Sequence, residues 1–134
     1  MEKLTIEKLS AYLPYAVKIL RPDKRTILEL KGLVGNLLIF QEEHKDYETL
    51  GYITHNKPIL RPLSDYIDIN SEAMQELNCD ISTQIQINEL AIKYIGIGDL
   101  HYSTAELCLI NHIDIFRLIE KGLAIPYESW TKNH

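Results

Sequence analysis

The run Ser103-Thr104-Ala105-Glu106-Leu107-Cys108-Leu109-Ile110-Asn111-His112-Ile113-Asp114-Ile115-Phe116-Arg117-Leu118-Ile119-Glu120-Lys121-Gly122 decides how this chain is read. Ser103 with Glu106 three positions later has the form of a capping box, and Gly122-Leu123 supplies a stop. The spacing predicts a helix over 104–121. In helical projection Ala105, Leu107, Cys108, Leu109, Ile113, Ile115, Phe116, Leu118 and Ile119 cover most of the circumference. Glu106, Asp114, Arg117 and Lys121 are left on a narrow polar strip. A helix that apolar is a central core element, and His112, between Phe116 and Ile119 in projection, is expected to be partly buried.

Working towards the N-terminus, Ile87, Leu90, Ala91, Tyr94 and Ile95 recur at helical spacing and predict a helix from about 82 to 95, ended by Gly96. Ile81, Thr83, Ile85 and Ile87 also alternate, so a strand competes there, and the helix is preferred. Ser71 to Asn78 reads as a short helix with Ala73, Met74 and Leu77 inward and Glu72 and Glu76 outward.

Before residue 62 the period is two. Tyr15–Arg21 and Arg25–Lys31 read as strands of a hairpin turning at Pro22-Asp23, and the glycines of 32–35 interrupt the pattern. Leu37–Phe40 reads as a strand buried on both faces or against a helix, and Leu50–Thr54 as another. Lys57–Arg61 is extended, with Pro58 and Pro62 arguing against the centre of a sheet. Thr5 caps a helix Ile6–Leu13 that Pro14 stops. The fold expected is α+β: a short N-terminal helix, a β-hairpin with additional short strands, and a helical second half. How the strands join is left open.

The 134 residues, 46% apolar and 25% charged, suit a single domain over 1–134 with one core. Cys79 and Cys108 stand in no CxxC spacing, so no disulfide framework is expected. The N-terminus lacks the apolar block of a secretion signal and no run approaches membrane-spanning length, which makes the cytoplasm the default compartment.

Net charge is −5, unevenly spread: residues 1–62 carry ten Lys/Arg against eight Asp/Glu, and residues 63–134 four against eleven. Between Leu63 and Phe116 only Lys93 offsets nine carboxylates. Such a field disfavours nucleic acid and favours a basic protein partner, with Asp65, Asp68, Glu72, Glu76 and Asp80 as the contact candidates. The densest basic cluster, Arg21, Lys24 and Arg25 at the hairpin tip with Lys18 nearby, is the candidate for phosphate contact.

Cys108 and His112, four apart, have the spacing of half a zinc site or of a thiol beside a base. No second ligand pair and no orienting third group accompanies them, so no metal, cofactor or catalytic residue is assigned and no enzymatic activity is expected. Phosphate-binding glycine loops and hydrolase motifs are absent.

Three stretches carry a resemblance: Ala11-Tyr12-Leu13-Pro14-Tyr15, Lys57-Pro58-Ile59-Leu60-Arg61-Pro62-Leu63-Ser64-Asp65, and His112 to Ile125. Together they resemble small prophage-encoded proteins of Bacteroidota. The resemblance covers about a fifth of the chain, in order, and brings no site residues with it. Where that group tends to have an aromatic after the histidine and a glycine after the phenylalanine, this chain has Ile113 and Arg117, departures expected to leave the helix intact. A prophage origin implies an accessory protein that binds and disables a host factor, anti-CRISPR proteins being the sharpest case. The expected partner is then a basic CRISPR-Cas effector. The alternative is an accessory protein of phage replication or transcription acting through the basic hairpin.

Overall fold

The computed structural model describes residues 4–15, 17–21, 27–34, 37–41 and 48–127. Thr5 accepts from the Lys8 amide and starts α1 (Ile6–Ser10). The chain then tightens into a 3-10 turn at Leu13–Tyr15, so Pro14 ends the α-helix but not the coiling.

Strands β1 (Lys18–Leu20) and β2 (Ile27–Val34) pair antiparallel, the hairpin expected of them; its turn lies outside the described residues. β2 runs through Gly32 instead of stopping there, because the register slips between Leu30 and Gly32 and the bulge absorbs the glycine. β3 (Leu37–Gln41) and β4 (Glu48–Tyr52) extend the meander.

β5 (Lys57–Leu60) corrects the expectation drawn from its prolines. It lies inside the sheet, antiparallel to β1 and parallel to β6 (Ile125–Pro126), in the order β4-β3-β2-β1-β5-β6. Pro58 is tolerated because β6 reaches only Ile59 and Leu60, leaving the proline a ladder on one side alone.

The second half is helical, and the protein is α+β. Ser71 caps α2 (Glu72–Glu76), which buries Met74 and Leu77. Asp80 caps α3 (Ile81–Ala91), so the helical reading of 82–88 holds. α4 (Tyr102–Ile110) starts at His101 with no side-chain cap, and the Ser103/Glu106 box is not what begins it.

The larger correction is the end of α4. The helix expected to continue to 121 stops at Ile110. His112 takes φ 57°, and its amide and that of Ile113 bond back to Leu109 and Cys108 in a Schellman stop. Ile113 then forms an isolated parallel bridge with Arg61, whose amide donates to the His112 carbonyl at 2.7 Å and whose carbonyl accepts from Asp114 at 2.9 Å.

Asp114 is accordingly no surface residue. It is 2% exposed, and its two carboxylate oxygens accept from the Leu118 and Ile119 amides at 2.8 and 2.9 Å, capping a turn that Gly122, at φ 72°, closes. Burial nevertheless pushes its carboxyl above the usual range, against those two amides. Arg117 takes φ 56°, a left-handed position outside any helix.

The core forms two adjoining clusters instead of the single one expected. One lies on the sheet, with Leu9, Tyr12, Ile19, Leu38, Phe40 and Leu118, and the other under α2–α4, with Tyr66, Met74, Ile87, Leu90 and Ile113. Leu109 and Phe116 pack against both. Among the described residues no helix is long and apolar enough to cross a membrane.

Two buried tyrosines separate the roles of their hydroxyls. Tyr12 donates to the Ile113 carbonyl at 2.6 Å. The Tyr66 hydroxyl has no hydrogen-bond partner of good geometry, although the nearby Arg61 guanidinium acts on it. Burial raises both phenols, that of Tyr66 to about 12. Tyr12→Phe is expected to cost about 1 kcal/mol in urea unfolding, because it removes a buried hydrogen bond and leaves the Ile113 carbonyl with the Ile115 amide alone, at 2.8 Å, whereas Tyr66→Phe should be neutral or slightly stabilising.

Candidate protein-interaction surface

The carboxylates proposed from sequence are divided by the fold. Asp65, Glu72 and Glu76 share one surface hollow with Arg61, Ser71 and Tyr127. Glu76 approaches the Arg61 guanidinium at 3.7 Å, and both are substantially exposed, a geometry worth little by itself. Asp68 and Asp80 hold local backbone: Asp68 accepts from the Asn70 amide at 2.9 Å, and Asp80 from Thr83 at 2.8 Å. The Thr83 bonds pull the Asp80 carboxyl below its ordinary range. Asp68, Glu72, Glu76 and Asp80 are all exposed.

What the sequence reading missed is the outer side of α3. Its inner face buries Ile87, Leu90 and Ala91, yet Ile81, Ile85 and Ile92 remain 63%, 42% and 51% exposed. Those three lie within about 40° of one another in helical projection and form one stripe. Asn88 sits on the same stripe and donates to the carbonyls of Tyr66 and Ile67, which brings Ile67, 53% exposed, alongside. The signal was present as the alternation of Ile81, Ile85 and Ile87. Alternation there also fits a strand, and in the structure it belongs to a helix with apolar residues on two sides.

Of the basic candidates, Arg21 and Lys18 lie among the described residues. Arg21 donates to Asn56 Oδ1 at 3.1 Å, and its guanidinium lies 5.2 Å from the centre of the Phe40 ring. Gly51 leaves room for it: a Cβ there would sit 2.4 Å from Arg21 Nη1. Lys18 faces elsewhere, into a cavity with Arg61 and His112. Lys24 and Arg25 lie outside the described residues.

Cys108 and His112 do not share a helical face, since His112 lies past the helix end and its Nε2 is 2.6 Å from the Tyr15 carbonyl. As expected, the histidine is partly buried. Burial drives the Cys108 thiol up to about 12, which suppresses the thiolate. Among the described residues no group of three His, Cys, Asp or Glu side chains is placed to hold a metal.

Native protein treated with a thiol reagent near pH 8 is expected to be modified at the partly exposed Cys79, while Cys108, fully buried, reacts only after unfolding. Rapid native labelling of Cys108, read by peptide mass, would contradict this. Comparison with known proteins returns no matching family model, curated protein or solved structure.

Proposed function

We propose that the chain is a non-enzymatic binding protein that offers its α2–α3 side to a basic partner protein. The observation that carries this reading is the apolar stripe on the outer side of α3, set in a half of the chain dominated by carboxylates. Ordinary surface helices are polar on the side facing water, and contiguous exposed apolar residues rimmed by charge mark interaction sites. Covering a half-exposed isoleucine contributes about 1 kcal/mol, so the stripe supplies affinity while the carboxylates supply steering and partner choice.

Asp68, Glu72 and Asp80 are the exposed acidic residues on this side, and Glu76 acts as a partner of Arg61 as much as an interface charge. Within the class of basic partners, the resemblance to prophage proteins favours a nucleic-acid-handling host protein, and an RNA-guided nuclease with its positive channel is the specific target proposed. Nucleic-acid binding through Lys18, Arg21, Lys24 and Arg25 has weaker support, because Arg21 is engaged by Asn56 and Phe40.

The test is a pull-down from host lysate at low and physiological salt with three proteins: wild type, Glu72→Lys with Glu89→Lys, where Glu89 lies on α3 one turn after Ile85 and about 40° from it in projection, and Ile81→Ser with Ile85→Ser. Neither pair includes a helix-capping residue, and unfolding curves verify that each variant is folded. The wild type is expected to retain a basic protein, less as salt rises. Each variant should lose at least about tenfold in retention. Equal retention by both variants, or recovery of nucleic acid alone, would contradict the reading.

A further inference from the structure

A cavity of about 550 Å³ opens between the β1–β2–β5 part of the sheet and the end of α4. Its apolar wall is Ile27, Ile59 and Ile110, and its polar groups include Lys18, Arg61 and His112. No carboxylate lines it among the described residues. In a chain of net charge −5 that is an unusual concentration of positive charge.

Each polar group is held in a way that leaves it usable. Glu29 stands opposite Lys18 in the β1–β2 register, but its carboxylate bonds to Lys31 at 3.0 Å, and among the described residues Lys18 has no ion-pair partner. Arg61 is fixed by its backbone bonds to residues 112 and 114 and lies 5.5 Å from the Tyr127 ring centre, which orients the guanidinium without neutralising it. Its distant contact with Glu76, at 3.7 Å, occupies one edge of the fork. The Tyr15 carbonyl only accepts, so His112 Nε2 carries the hydrogen of that bond and Nδ1 is the ring nitrogen left for other contacts.

Apolar walls with a few convergent polar groups, in a volume within the usual range of about 300–1,000 Å³, are the properties of a small-molecule site. Two cations in a cavity that no described carboxylate lines select an anion, and the isoleucine wall selects one that carries an apolar body. We infer that this cavity binds a small organic anion, with a carboxylate or phosphate head between Lys18 and Arg61 and an apolar body against Ile27, Ile59 and Ile110.

The experiment is an amide-resolved NMR titration of the full chain with phenyl phosphate, with inorganic phosphate and benzyl alcohol as probes of head and body alone. Phenyl phosphate is expected to give saturable shifts at Lys18, Ile59 and His112, with either partial probe at least about tenfold weaker. Lys18→Met, at an exposed strand position, should weaken phenyl phosphate about tenfold, and Ile110→Glu, which sets a carboxylate on the wall, should abolish its binding. The inference is overturned by shifts that do not saturate or that map elsewhere. Equal affinity for inorganic phosphate, or undiminished binding by folded Lys18→Met, overturns it as well.

Discussion

The structure depends on one crossing, where Ile113 bridges Arg61. Arg61 gives its amide to His112 and takes the amide of Asp114, so the end of the sheet and the segment after α4 are joined by backbone on both sides of Ile113. Tyr12 adds a buried bond to the Ile113 carbonyl, and Tyr15 accepts from His112. A buried polar backbone must find partners somewhere, and here three distant parts of the chain supply them.

From that joint the rest of the second half follows. A residue bridged to Arg61 cannot also be helical, so α4 stops at Ile110, before Ile113, and His112 accepts the left-handed conformation that the stop requires. Asp114 then restarts the chain by capping the turn at Leu118 and Ile119. The segment threads between the clusters: Ile113 and Ile115 enter the helical one, Leu118 the sheet one, and Phe116 touches both while meeting Tyr12 edge-on at 6.1 Å. Apolar residues on every side of this stretch are explained by two cores around an irregular segment.

Much of the fold was legible because it rests on local rules. The hairpin, the strand at Leu37 and the cap at Thr5 follow from residues acting on their near neighbours. The end of α4 was not legible, because the bond that breaks it comes from Arg61, some fifty residues away, and periodicity takes no account of distant backbone. Asn111-His112 and Asp114 were local hints of a stop and a new cap, outweighed by the apolar pattern around them. β5 was misjudged for the same reason, since its neighbour β6 is only two residues long. Of the candidate surface, the acidic bias was legible and the isoleucine stripe was not, because an apolar residue in sequence carries no label of which core, if any, will cover it.

The joint also organises function: Arg61 lies between the acidic hollow of Glu72 and Glu76 and the cationic cavity of Lys18 and His112, so one side chain borders both proposed sites. The most direct test of the joint is native-state hydrogen exchange on wild type and Asp114→Asn, comparing Leu38 and Phe40 in the sheet cluster with Ile87 and Leu90 in the helical one. Coupling through the crossing predicts that all four amides lose protection by the same free energy, on the order of 1–3 kcal/mol. Loss confined to Ile87 and Leu90, with Leu38 and Phe40 unchanged, would mean that the two halves are stable separately and that the crossing does not hold them together.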